Sequence, residues 1–235
     1  MPEIIDRVPS KKDKTASPLF FYLLLSALFI AALITTNLIA NKFVSVDLGF
    51  KVFKISAGVL PYPITFLITD ILSEIFGRKN TQRVVFVGFF ASAFVLGILW
   101  LGDQFPSIVG SPVSDSEYAK VFQNSYKVVF SSMVAYLAAQ FVDVRIYHFW
   151  KNLTNGKYLW LRNNGSTIVS QLVDTTLVVG VLFYGQMPLS EMAVLILDGW
   201  LFKILFAFID TPAMYAAVYG IRSVFGLKIN EELEI

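Results

Sequence analysis

Four aspartates, Asp70, Asp143, Asp174 and Asp210, lie inside stretches made mainly of apolar residues. A charged carboxylate at the centre of a bilayer costs about 2.5–3.5 kcal/mol on insertion scales. Four such penalties require a polar interior: a solute pathway, a proton relay or an intramembrane active site. Two of the four repeat a local pattern. Gln140 precedes Asp143 by three residues, and Gln171 precedes Asp174 by three. That spacing puts amide and carboxylate on one helix face. If the two helices face each other as an inverted pair, they match how many carriers are built. The plainer role is gluing helices together. Such bonds are worth roughly 0.6 kcal/mol each, which is small beside the cost of an ionised Asp.

Other positions extend the set. Phe66, Asp70 and Glu74 recur every four residues below Pro61 and Pro63. Prolines there free helix carbonyls, which is tolerated where they face protein or a wet cavity. Two carboxylates one turn apart repel when both are ionised, so one is protonated, paired with a cation or placed near the interface. Arg78 and Lys79 make an interfacial ion pair the expectation for Glu74. Lys203 and Asp210 share a face two turns apart, either as a structural ion pair or as a charge that substrate or proton displaces; Thr211-Pro212 predicts a kink. Asn37 and Asn41, four apart, serve either helix–helix hydrogen bonding or substrate contact. Carboxylates, amides and aromatics, without a metal-ligand set or a nucleophile–base pair, suit a planar heterocycle whose adjacent N–H groups donate to carboxylates. Phe66, Tyr62, Tyr147 and Trp150 are candidates to stack on its ring, although aromatics in such a chain face lipid or the interface by default.

The elements that must position these groups are membrane helices. The 235 residues are 56% hydrophobic and 15% charged, with a mean hydropathy of +0.64. A soluble domain carries about 25% charged residues. There is no cysteine, and His148 is the single histidine; disulfides, thiolate metal sites and cysteine catalysis are thereby excluded. The net charge of +2 gives no reason to expect a nucleic-acid partner. No cleavable signal peptide is expected, because the first apolar run is too long for a signal h-region. Six segments have spanning length, namely 19–40, 58–76, 84–101, 128–149, 166–185 and 200–221; 189–198 is either an interfacial helix or an extension of the sixth. With the N-terminus inside, thirteen Lys and Arg fall in inner segments and five in outer ones, Lys203 being within the sixth span. This bias places both termini in the cytoplasm. Pro106 and Pro112 argue against a long helix in the outer loop 102–125. Asn163-Asn164-Gly165 reads as a turn, with Ser166 or Thr167 capping the fifth span; Lys157, Trp160 and Arg162 read as headgroup-level anchors.

PITFLITDILSEIFGRK, AQFVDVRIYHFWK, LWLRNNGSTIVSQLVDT and KILFAFIDTP, in this order, resemble the motifs of the queuosine precursor transporters, a bacterial and archaeal inner-membrane family once grouped as vitamin uptake transporters. The resemblance runs from about Asn37 to Tyr215. It implies an all-α, multi-pass protein of six transmembrane helices in the cell inner membrane. The function it implies is import of a 7-deazaguanine such as preQ0, preQ1 or queuine for tRNA modification. Asp70, Gln140, Asp143, Ser166, Gln171, Asp174, Lys203 and Asp210 fall inside matching motifs and are carried over as substrate-site candidates beside Phe66, Asn37 and Asn41.

The expected organisation is a disordered cytoplasmic tail (1–17), a transporter domain (18–225) and a cytoplasmic C-terminal tail (226–235). Neither catalytic residues nor a metal or cofactor are expected; the partners are the small-molecule base and the lipid bilayer. Two other readings compete with an autonomous, proton-coupled carrier. One is a membrane subunit that binds another vitamin-like heterocycle and borrows an ATPase, since the chain has no P-loop. The other is an intramembrane aspartyl enzyme with two Asp sharing a proton, weakened by the absence of Gly-x-Gly-Asp.

Overall fold

A computed structural model describes residues 17–39, 42–47, 49, 52–122, 126–183, 185 and 188–235. It contains helices α1 (Pro18–Leu38), α2 (Tyr62–Ile75), α3 (Gly77–Asp103), α4 (Asp115–Phe122), α5 (Tyr126–Leu153), α6 (Leu159–Phe183) and α7 (Leu189–Phe225). Strands β1 (Phe43–Asp47) and β2 (Val52–Ser56) pair antiparallel between α1 and α2. Alternating FVSVD and VFKIS account for this hairpin, which falls between the first two expected spans.

Four helical stretches are long and apolar enough to cross a membrane: Pro18–Leu38, Ala57–Ile75 (a 3₁₀ turn leading into α2), Gly77–Asp103 and Leu189–Phe225. At 28 and 25 residues α5 and α6 have the length, but their polar residues dilute the apolar character. By length and apolarity together, four of the six expected spans stand among the described residues. Large apolar side chains such as Phe20, Phe90, Phe94, Phe130 and Phe208 point outward, the arrangement a bilayer requires.

The core is built around α2. It spans about 21 Å at 1.5 Å per residue and packs against α1, α3, α5 and α7. Every residue from Ile68 to Gly77 is buried, so side chains that lipid would reject are allowed there. The α2–α3 corner turns at Gly77, whose φ of +78° is strained for any other residue. A side chain there would also run into Glu232. The segment after α7 returns to this corner. Leu233 N–H donates to Ile75 O at 2.7 Å, Glu232 pairs with Lys151 at 2.9 Å, and Leu227 and Leu233 pack on the core.

The helix boundaries decide one open alternative and overturn one expectation. Residues 189–198 are continuous with the last helix, making α7 37 residues long with Pro212 inside it. The Asn163-Asn164-Gly165 turn does not exist. Helix α6 starts at Leu159, and Ser166 and Thr167 lie within it rather than capping it. The asparagine finds partners inside the fold: the Asn164 amide donates to Trp160 O (2.9 Å) and to Thr211 Oγ1 on α7 (2.8 Å). Gly165 admits the Trp150 indole, whose Nε1 would lie 2.9 Å from an added Cβ. Among the described residues between Asp103 and α5, the helix is the eight-residue α4, in keeping with the prolines. Ser114 and Glu117 form its capping box: Ser114 N–H donates to Glu117 Oε2 (2.8 Å), and Glu117 N–H donates to Ser114 Oγ (3.3 Å).

Candidate functional site

Four helices present polar side chains to one interior. Helix α2 supplies Phe66, Thr69, Asp70 and Glu74, and α5 supplies Tyr136, Gln140, Asp143 and Tyr147. Helix α6 supplies Ser166, Ser170, Gln171 and Asp174, and α7 supplies Lys203 and Asp210. Of these, Lys203 and Asp210 are half-buried and the rest are buried. The four- and three-residue spacings that place each set on one face become a common polar axis once the helices pack.

At one end, Lys203 Nζ donates to Asp174 Oδ2 at 2.6 Å and to Thr175 Oγ1 at 3.2 Å. The same ammonium stands 4.6 Å from the centre of the Tyr62 ring, a cation–π distance. Lys203 therefore pairs with Asp174 on the neighbouring helix rather than with Asp210 on its own. In the middle, Ser170 Oγ donates to Asp143 Oδ1 at 2.9 Å. Asp70 and Ser166 flank the same carboxyl, and Asp210 lies beside Asn163. Gln140 Nε2 donates to Tyr136 OH at 2.5 Å.

Six carboxyl or amide oxygens in this cluster, Asp70 Oδ1, Gln140 Oε1, Asp143 Oδ2, Gln171 Oε1, Asp174 Oδ1 and Asp210 Oδ1, are buried without a donor bonded to them, and the Tyr62 hydroxyl beside Asp174 is unbonded as well; Asp70 and Asp143 adjoin each other. Stranding one buried polar group costs about 1–3 kcal/mol, and native proteins keep few of them. Six together mark a place built to receive donors. A pocket between α2, α6 and α7 is lined by Tyr62, Phe66, Gln171, Lys203 and Asp210 among others, with a free volume of about 10 Å³. That is one water's worth.

Asn37 lies at the end of α1, does not line this pocket, and keeps a buried amide nitrogen without a partner. Asn41 falls outside the described residues. Of the expected stacking rings, Tyr62 and Phe66 line the pocket, with centroids 5.5 Å apart, whereas Trp150 packs on Gly165 and Tyr147 lies one level inward. Among the described residues, no group of three His, Cys, Asp or Glu side chains comes together as a metal-ligand set.

At the opposite end of the cluster the expectation for Glu74 is overturned. It is fully buried and pairs not with Arg78 or Lys79 but with Arg162 (2.6 Å), Arg222 (2.5 Å) and, more distantly, Lys151 (3.9 Å). Tyr147 OH also donates to it, at 3.1 Å. Arg162 is thus no headgroup anchor. A carboxylate this deep needs cations equally deep; Arg78 and Lys79 are exposed on the outside of the corner. Sequence reasoning missed Tyr136, Ser170 and the pairing role of Arg162 and Arg222. For Ser170 the signal was its place one turn before Asp174; for the arginines no local signal exists.

The family model described as "Putative vitamin uptake transporter" matches residues 56–217, from the end of β2 well into α7. A "Probable queuosine precursor transporter" of Bacillus subtilis (strain 168) is 30% identical over 161 residues, covering 68% of this chain and 70% of that protein. A protein of the same description from Haemophilus influenzae (strain ATCC 51907 / DSM 11121 / KW20 / Rd) is 24% identical over 135 residues, 56% of this chain and 53% of that protein. No solved structure matches the chain significantly. The central cluster lies within the matched residues; Asn37, Asn41 and Arg222 lie outside them.

Proposed function

The chain belongs to the vitamin uptake transporter family, and from that premise we propose that it imports a 7-deazaguanine queuosine precursor across the cell inner membrane. It does so with six spanning helices (α1, α2 with its preceding turn, α3, α5, α6 and α7) and both ends in the cytoplasm. The observation that carries the substrate class is the set of six buried acceptors without partners. A 7-deazaguanine offers donors at N1, at the 2-amino group and at the pyrrole N–H, and it lacks the N7 acceptor of guanine. An acceptor-rich, donor-poor site with aromatic rings on one wall is its complement. Asp70, Asp143, Gln140, Gln171, Asp174 and Asp210 receive its donors, Phe66 and Tyr62 stack on its ring, and Lys203 holds Asp174 in place. Ser166 supports Asp143. The names of the two relatives point to the same solute.

Asp70 and Asp143 lie side by side, away from the Lys203 ammonium. Two neighbouring carboxyls can hold one proton between them, and substrate donors arriving on the same oxygens compete for that place. This supplies a route to proton coupling within one chain.

The test is the queuosine content of tRNA in a bacterium lacking both its own synthesis and its own importer. The chain is expressed there with low concentrations of preQ0, preQ1 or queuine. Rescue by the wild type and not by Asp70→Asn or Asp174→Asn supports the reading, and the base that works names the substrate. Absence of rescue by every base, with the protein present in the membrane, refutes a self-sufficient importer of these solutes.

A further inference from the structure

One helical turn inward from the central cluster, three of the four contributing helices change chemistry. Asp70 gives way to Glu74 on α2, Asp143 to Tyr147 on α5, and Ser166 to Arg162 on α6. One turn is about 6 Å along the axis. At this level Glu74 gathers Arg162, Arg222, Lys151 and Tyr147, tying α2, α5, α6 and α7 at one point. Immediately beyond lies a cavity of about 230 Å³, lined by Glu74, Arg162 and Arg222 on the knot side and by Tyr158, Tyr215 and Tyr219 around its walls. Its volume contrasts with the 10 Å³ at the central pocket. The C-terminal segment closes this end: Ile229 lines the same cavity, Glu232 engages the second face of Lys151, and Leu233 is bonded to the last turn of α2.

On the transporter reading above, we propose that the ion knot on Glu74 is the inner gate of the transport path and that the cavity beneath it is the exit station for the planar base. A knot serving only stability has no need of this chemistry, because well-packed apolar residues replace buried ion pairs without loss. Ion pairs at the edge of a roomy cavity differ in one respect: they can exchange their partners for water or for a passing polar ligand. The two stations also complement different edges of one molecule. The central site offers acceptors to the N–H edge. The exit station offers guanidinium donors to a carbonyl such as O6, with tyrosines for the ring. Residues 227–235 act as the strap that holds the gate shut.

The chain's lack of cysteine allows a direct test in the full-length protein. Ser170→Cys places a single thiol in the central cluster, where the residue is fully buried. Labelling with a membrane-impermeant maleimide is measured in vesicles of each orientation. With an intact knot the thiol is protected from both faces. Adding Glu74→Gln or Arg222→Gln is expected to speed labelling from the cytoplasmic face more than about tenfold, a population shift within reach of one lost ion pair, and to leave the outer face unchanged. Glu232→Gln and Leu233→Pro loosen the strap without touching the helices, and they give a smaller change in the same direction. If the knot variants fail to fold, the strap variants decide. Unchanged labelling in all variants, or an equal rise from both faces, overturns the gate. Labelling needs no substrate, so failed tRNA rescue with a responsive gate sinks the substrate assignment alone.

Discussion

Replacing Lys203 with methionine isolates the strongest electrostatic contact of the central cluster. Its ammonium lies 2.6 Å from Asp174, with the two side chains 14% and 3% exposed. Removing one partner of a buried pair costs about 3–5 kcal/mol, because the remaining charge stays buried and uncompensated. The residual exposure of Lys203 places Lys203→Met near the lower end, about 3 kcal/mol, a factor of roughly 100 in the folded-to-unfolded ratio. Asp174→Leu costs less, about 1–2 kcal/mol, because the freed ammonium keeps the Tyr62 ring and some access to solvent. The double variant Lys203→Met/Asp174→Leu removes both charges together and recovers most of the loss. The expected coupling is about 2–3 kcal/mol, read from reversible unfolding in detergent as a double-mutant cycle. Binding of the labelled base separates architecture from recognition: the double variant is stable and does not bind. Additivity within about 0.5 kcal/mol refutes the pair as drawn. Wild-type affinity in the double variant refutes Asp174 as a ligand.

Three further outcomes follow from single contacts. Phe66→Leu keeps the pocket apolar but removes a stacking face worth about 1–3 kcal/mol per base, so titration with the base is expected to show affinity weaker by roughly 5- to 100-fold; unchanged affinity removes Phe66 from the site. Gly77→Ala forces a left-handed φ on a residue with a Cβ, costing about 1–2 kcal/mol, and displaces Glu232; a lower melting temperature in detergent checks it, and an unchanged one rejects the strained corner. Hydrogen bonds from Ser114 hold the exposed Glu117 carboxyl below its ordinary 4.5. A carboxyl depressed in the folded state stabilises fully above its ordinary pKa and loses that contribution as pH falls through the lower, folded one. The protection factors of the α4 amides, with the intrinsic pH dependence of exchange divided out, are therefore expected to be flat near neutral pH and to fall on acidification through and below the ordinary carboxylate range. Ser114→Ala abolishes that dependence; persistence in the variant refutes the capping box as its cause.

What the sequence made legible is what local spacing and bilayer energetics encode. The penalty of a buried carboxylate located Asp70, Asp143 and Asp174 in the core before any fold was known. The i,i+3 and i,i+4 spacings put Gln140 with Asp143 and Phe66 with Asp70. Long-range pairing was not legible. Glu74 finds Arg162 and Arg222 88 and 148 residues away, while the nearest cations in the chain, Arg78 and Lys79, turn outward past a glycine corner. The same limit explains α6. Asn163-Asn164-Gly165 has the composition of a turn, yet Thr211 satisfies an asparagine and Trp150 fills the space above the glycine, so tertiary partners override local preference. The β-hairpin is written in its alternating pattern, but five-residue strands between long apolar runs carry a weak signal.

The central position of α2 sets a problem of timing during synthesis. The arginines that neutralise Glu74 on this helix arrive 88 and 148 residues later. At about 5–20 residues per second, Arg162 follows after roughly 4–18 s and Arg222 after roughly 7–30 s. For that interval α2 carries two acidic side chains with no partner and no protein wall around it. It must wait at the mouth of the insertion machinery or at the membrane surface, and it enters its final place only when α5, α6 and α7 close around it. Chains cut short before Arg222 therefore present an unfinished, acidic segment, the kind of signal by which membrane quality control distinguishes an incomplete protein from a finished one.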